Sequence, residues 1–147
     1  MATHDELDAI EQIKKLKARY FRCMDTKDWD GFQAVFADDA TMDTTQEAPG
    51  LEVVTGAPEI RAFVQGSVDP VVTVHHGHMP EIEITSPTTA RGIWAMQDYL
   101  KMPEGSSLGM KTMVGWGHYT ETYERVDGEW KIKTLVLTRL RRDVEMA

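Results

Sequence analysis

The second half of the chain leaves little freedom in how it can fold. Residues 71–85, 89–101, 111–126 and 129–143 are four long runs rich in β-branched and aromatic side chains. Each break between them carries turn chemistry. Ser86-Pro87 closes the first run, a Pro- and Gly-containing stretch over 103–109 follows the second, and Asp127-Gly128 separates the last two. Asp-Gly is the signature of a type I′ hairpin turn, whose twist matches that of the strands it joins. Consecutive strands linked this tightly pair antiparallel, because a parallel pair needs a long crossover.

The first half has a different period. Leu7, Ile10, Ile13, Leu16, Tyr20 and Met24 recur at spacings of three and four, which predicts a helix over about 8–24 with one apolar face. Lys14, Lys15, Lys17 and Arg19 are expected mostly on the opposite, wet face. Asp28 is placed to cap a short second helix through Val35. Phe32, Val35 and Phe36 then offer apolar contacts before an acidic turn at Asp38 and Asp39. Residues 42–51 read as a loop, with a short strand around 40–43. Gly56, Ala57 and Pro58 open a third helix to about Val68, with Pro58 near its first turn. Helices first and strands afterwards specify an α+β domain rather than a doubly wound sheet. With no repeat, low-complexity tract or linker, residues 1–147 read as one domain.

Composition narrows the function classes. A formal net charge of −8 disfavours binding to nucleic acid or to an anionic membrane. Only Arg139, Arg141 and Arg142 interrupt the acidic balance with a basic cluster. No stretch is long and apolar enough to span a bilayer, and the polar N-terminus lacks a signal-peptide core. The single Cys23 cannot form an internal disulfide, so the cytoplasm is the expected location.

Three places carry residues suited to chemistry. Asp25 sits at the end of the first helix, where the helix dipole disfavours a carboxylate; Phe21, four residues earlier, borders the apolar face. If Asp25 turns inward it needs a hydrogen-bonding or cationic partner. His75, His76 and His78 cluster within four positions of a chain with five histidines. On a strand, His76 and His78 share one face and His75 the other. Alternate histidines can ligate zinc or iron, but no correctly spaced third and fourth ligands accompany them, so no metal is expected. Trp94, Met96 and Asp98 alternate onto one face of the next strand, an apolar surface ending in a carboxylate. Tyr119 and Tyr123 share a face on the strand after that.

Taken in order, these residues resemble the SnoaL-like branch of the nuclear-transport-factor-2-like superfamily, from about Glu6 to about Asp143. The resemblance rests on Tyr20-Phe21-Arg22-Cys23-Met24-Asp25, Trp29-Asp30, Phe36-Ala37-Asp38-Asp39, Gly56, and His75-His76-Gly77-His78-Met79-Pro80-Glu81-Ile82. Arg91-Gly92-Ile93-Trp94 with Asp98, Gly117-His118-Tyr119 and Asp127-Gly128-Glu129-Trp130-Lys131-Ile132 extend it. It implies a cone-shaped α+β barrel, N-terminal helices packed on a strongly curved antiparallel sheet, often as a homodimer or homotrimer. In dehydratase-like members, the helix-end aspartate and the first histidine of the strand form a catalytic dyad, matching Asp25 and His75. Tyr20 and Asp98 match the remaining members of that set. Ile82 and Ile84 look core-facing, and alternation back from them selects His76 and His78; a β-bulge near Gly77 or Pro80 would return His75 to that face.

The resulting expectation is a lyase of dehydratase type, without metal or organic cofactor, acting on a small, apolar, cyclic or polycyclic hydroxy-carbonyl compound. His75 removes a proton beside a carbonyl, Asp25 fixes its tautomer, Tyr20 binds the developing enolate, and Asp98 protonates or orients the departing hydroxyl. Phe21, Met24, Trp94, Met96 and Tyr119 line the substrate site. The same groups would serve an isomerase or a polyketide-cyclase-type enzyme, and the same cone serves non-catalytic ligand-binding or scaffold proteins. Arg139 is expected at a pocket mouth or a subunit contact. Leu135, Val136, Leu137 and Leu140 put apolar groups on both faces of the last strand, consistent with a neighbouring subunit.

Overall fold

The computed structural model describes residues 1–147. Helix α1 (His4–Asp25) starts four residues earlier than its apolar periodicity suggests, because Thr3 caps it. The Thr3 hydroxyl accepts from the Glu6 amide, and the Glu6 carboxylate accepts from the Thr3 amide, a reciprocal capping box. Asp28 caps α2 (Trp29–Ala34) through the Gly31 amide. Strand β1 (Phe36–Asp43) contains Asp38 and Asp39, so the acidic pair expected in a turn lies instead on the exposed side of a strand. After the irregular stretch 44–53 come β2 (Val54–Thr55) and α3 (Ala57–Val68), and then β3 (Val72–Ser86), β4 (Thr89–Lys101), β5 (Met110–Val126) and β6 (Glu129–Met146). Asp127 and Gly128 both have positive φ, 51° and 80°, as a type I′ turn requires.

The six strands form one curved, unclosed sheet in the order β2-β1-β6-β5-β4-β3. The expected antiparallel sheet is in fact mixed. The four long strands pair antiparallel with their neighbours, whereas β1 runs parallel to β6. A parallel pairing becomes possible because the whole of β2 through β5 separates the two strands in sequence. The helices cover the concave side, and the core lies between, around Ile13, Leu16, Phe32, Ile60, Ile132 and Leu135, each no more than 1% exposed. Burial of each such side chain is worth about 1.5–3 kcal/mol.

One residue reverses its expected place. Lys17 is fully buried, 0% exposed, rather than on the wet face of α1. It lies four residues after Ile13 and three before Tyr20, within the apolar stripe itself. The apolar face pulls it inward, and Glu121 on β5 makes that tolerable by pairing with it at 2.7 Å.

Register faults in the sheet help decide which side chains face the helices. Between His78 and Glu81, β3 carries one residue more than β4, and Met79 takes φ 40°. This bulge changes the parity, so Thr73, His75 and Gly77 face inward below it, and Ile82 and Ile84 face inward above it. Likewise β6 has an extra residue at Leu140, opposite the step from Trp116 to Gly117. A further extra residue at Lys133 lets both Ile132 and Leu135 face inward, and alternation carries that face on through Leu137 to Arg139; beyond it Leu140 is pushed out at 76% exposure, and Arg141 turns outward over Trp116.

Candidate functional site

Asp25 is the last residue of α1, which ends against β3. Its Oδ1 lies 2.7 Å from His75 Nδ1 and accepts a hydrogen bond from the Thr73 hydroxyl at 2.9 Å. Its Oδ2 accepts from the backbone amide of His75 at 2.8 Å. The ionised carboxylate accepts only, so the geometry assigns the ring proton to Nδ1 and leaves Nε2 with a free lone pair. The Phe21 ring lies nearly parallel to the imidazole, with centroids 6.1 Å apart and planes at 14°. Gly77 makes room for that ring: a Cβ there would sit 2.7 Å from Phe21.

The open side of the imidazole faces β4. His75 Nε2 is 3.9 Å from Asp98 Oδ2, too far for a direct hydrogen bond and suited to an interposed hydroxyl or water. Asp98 is held in turn by a two-pronged grip from Arg139, with Nη1 donating to Oδ1 at 2.7 Å and Nη2 to Oδ2 at 2.8 Å. Arg139 also donates from Nε to Glu47 Oε1 at 2.6 Å, while Arg142 donates to the Glu47 carbonyl at 3.0 Å. Burial alone would lower the Arg139 pKa, but the hydrogen bonds and charges of Asp98 and Glu47 outweigh it and hold the guanidinium above its ordinary value. Stretch 44–53 is thereby pinned across this side, and Gln46 accepts from the Arg139 amide.

Tyr20 and Tyr119 form the inner wall, edge to face at 5.7 Å. Burial raises both phenols well above their ordinary pKa, so both remain hydrogen-bond donors at neutral pH. Beneath them Lys17 Nζ sits 3.8 Å from the Tyr20 ring centroid and 3.6 Å from that of Tyr119. Burial lowers the Lys17 pKa from 10.5 to about 8, against the opposing pull of Glu121. Glu121 accepts from Tyr123 at 2.7 Å, and Tyr123 from the Trp94 indole at 2.9 Å. The polar chain from Lys17 to Trp94 therefore ends with every member partnered.

This arrangement sits in a chain whose residues 5–136 match the SnoaL-like domain. The chain belongs to the SnoaL-like family. The SnoaL-like protein is 28% identical over 150 residues to the probable cyclase FGR4 of Gibberella zeae, covering 95% of each chain. Among solved structures it is similar to a protein assigned as a scytalone dehydratase from Novosphingobium aromaticivorans (TM-score 0.85, 20% identity, 99% of this chain and 93% of the other). It is also similar to a type 2 hexachlorocyclohexane dehydrochlorinase, LinA (TM-score 0.82, 21% identity, 97% and 93%). These two likenesses establish the nuclear-transport-factor-2-like fold.

In this SnoaL-like domain Tyr20, Asp25, His75 and Asp98 lie in one neighbourhood. Phe21, Met24, Trp94, Met96 and Tyr119 are all buried in the surrounding core, and Met96 Sδ lies 3.8 Å from Arg139 Nη1. His76 and His78 are exposed on the other face of β3, with ring centroids 6.0 Å apart, so the three histidines do not converge. The site is closed: the side chains of His75, Asp98 and Arg139 are 7%, 3% and 9% exposed. A concavity of about 1130 Å³ lies elsewhere, between α1 and the β3–β4 and β5–β6 turns, among polar groups such as Arg19, Arg22 and Glu129.

Sequence reasoning missed Lys17, Glu121, Thr73 and Glu47, and placed Arg139 only loosely. Two of these had a legible signal. Lys17 occupies the helical stripe, and Glu121 alternates between Tyr119 and Tyr123. Thr73 depends on the bulge parity, and Glu47 is an ordinary loop acid until Arg139 meets it.

Proposed function

We propose that this SnoaL-like protein is an acid–base enzyme of the lyase type, acting without a metal or organic cofactor on a small cyclic or polycyclic hydroxy-carbonyl compound. The observation that carries this reading is the imidazole held at Nδ1 by Asp25 with Nε2 directed at a second, buried carboxylate. Nε2 removes a proton beside the carbonyl, and Asp25 stabilises the imidazolium that forms. Tyr20, with Tyr119 beside it, donates to the developing enolate oxygen. Asp98, gripped by Arg139, orients the departing hydroxyl, which leaves as water with the proton carried by His75. Such a base contributes about 10²–10⁴-fold, and the phenol donors about a few kcal/mol. Phe21, Met24, Trp94 and Met96 provide the apolar wall for the ring.

Likeness to a probable cyclase favours a second outcome on the same groups. Where no leaving group lies beta to the abstracted proton, the enolate isomerises or closes a ring instead. Incubation with a panel of cyclic hydroxy-ketones and unsaturated ketones, read by mass, separates these outcomes, because only elimination loses water. His75→Ala is expected to lose turnover while keeping its far-UV circular dichroism. Full turnover in His75→Ala overturns the assignment of His75 as the base, whereas no turnover of any panel compound by the unaltered protein leaves a ligand-binding scaffold.

The assembly proposed is a homodimer or homotrimer through the outer sheet face. Val74 and Ile93 are each 41% exposed there and Tyr99 36%, with Trp116 and Val136 on the same face and no helix over them. No helix is long and apolar enough to cross a membrane, and the buried, free thiol of Cys23 suits the reducing cytoplasm.

A further inference from the structure

We propose that Thr73 and Lys27 are positioning residues that fix, through Asp25, which ring nitrogen of His75 carries its proton; this rests on reading Asp25 and His75 as the acid–base pair. The contacts form one line. Lys27 Nζ donates to Thr73 Oγ1 at 3.0 Å, Thr73 donates to Asp25 Oδ1 at 2.9 Å, and Asp25 Oδ1 meets His75 Nδ1 at 2.7 Å. An ammonium only donates and a carboxylate only accepts. The single hydroxyl between them can satisfy both in one sense alone, accepting from Lys27 and giving its proton to Asp25. The two ends of the line thus set its polarity.

The backbone at Lys27 is a second, independent observation. α1 ends in a Schellman motif, with the Asp28 amide bonded to the Cys23 carbonyl and the Lys27 amide to that of Met24. The residue in the left-handed position of that motif is usually glycine, yet here it is Lys27, at φ 61°. An L-residue bearing strain beside a reactive group is the pattern expected where its side chain is needed. That side chain reaches Thr73, itself 4% exposed and two residues before His75 on the inward face of β3. Thr73 also keeps the ammonium one hydroxyl away from Asp25, so Lys27 supports the carboxylate without taking it from the imidazole. The remaining charged or titratable groups facing this line are Asp69 near Lys27, and Asp98 with Arg139 and Tyr20 on the far side of His75 and Asp25.

The test is long-range ¹H–¹⁵N correlation on full-length protein labelled at histidine, with His75 assigned by its loss in His75→Gln. The unaltered protein is expected to show one neutral tautomer, protonated at Nδ1. In Thr73→Val, where the ammonium can reach Asp25, and in Lys27→Gly, where the hydroxyl is no longer fixed, the Nδ1 and Nε2 shifts should move towards each other. Thr73→Ser should restore them. Lys27→Gly also relieves the left-handed strain, so its Tm should hold or rise, which a merely structural lysine would not allow. With a turned-over substrate, kcat should fall about 10–100-fold with little change in KM, the scale of lost supporting contacts. Unaltered His75 shifts in both variants overturn the proposal, as does failure of Thr73→Ser to restore them. The ring spectra need no substrate, so full turnover in His75→Ala would overturn the lyase reading while leaving the spectral result to stand or fall by itself.

Discussion

Lys17 shows how much one side chain can cost and supply. Two opposite charges are removed from water together, and their attraction offsets that penalty only while both are present. Lys17→Met should therefore destabilise the fold by about 3–5 kcal/mol, because Glu121 is left charged and unpaired, whereas Lys17→Met combined with Glu121→Leu should recover much of the loss; urea unfolding measures both. The pH dependence follows from the same burial. The Lys17 pKa falls from 10.5 to about 8 on folding, so between those values the unfolded chain binds the proton more tightly than the folded one. Stability then rises with pH across that window, and the cost is fully present below about 8. The difference in unfolding free energy between the unaltered protein and the double variant should grow in favour of the former from pH 8 to 10.5. A flat difference would mean that the ammonium is not destabilised by burial.

At the scale of elements, the sheet register places the carboxylate–guanidinium pair. Gly115 lies directly opposite Asp98 across β4 and β5, and a Cβ there would come within 2.5 Å of Asp98 Oδ1 and against the Arg139 guanidinium. Gly115→Ala should force the pair apart. The expected result is a stability loss of about 1–3 kcal/mol from overpacking, together with a loss of turnover larger than that of an alanine at the exposed Gly66. The bulge in β3 is as consequential. Met79 holds a left-handed φ of 40° that glycine adopts freely. Met79→Gly should keep the fold at equal or higher Tm, whereas deleting Met79 should remove the extra residue and turn either His75 or Ile82 and Ile84 out of the core. Thermal melts of the two proteins distinguish a bulge that sets parity from one that merely tolerates it.

For the whole molecule, helices occupy one side of the sheet and leave the other bare. A face carrying Val74, Ile93, Tyr99 and Trp116 without a covering layer is the kind of patch that marks an interface. Sedimentation velocity should report a dimer or trimer, and Ile93→Glu with Trp116→Glu should convert it to monomer without loss of helical signal. A monomer at micromolar concentration in the unaltered protein would refute the assembly.

Much of this molecule was legible one residue at a time. The period of α1, the Asp28 cap, the Pro58 helix start, the four strands and the Asp127-Gly128 turn are local in origin, fixed by side-chain spacing, capping and turn chemistry acting over a few residues. Tyr20, Asp25, His75 and Asp98 were nameable because their order along the chain resembles a family. The sequence by itself thus determined the elements, their α+β order and the residues to suspect. Only the tertiary structure decided the parallel β1–β6 pairing, the inward turn of His75 and Arg139, the burial of Lys17 on Glu121 and the clasp of Glu47. Each of these depends on partners far apart in the chain or on a single inserted residue that reverses which side of a strand faces the core. Such choices are settled by the energy of packing and pairing across the sheet, which no local pattern contains.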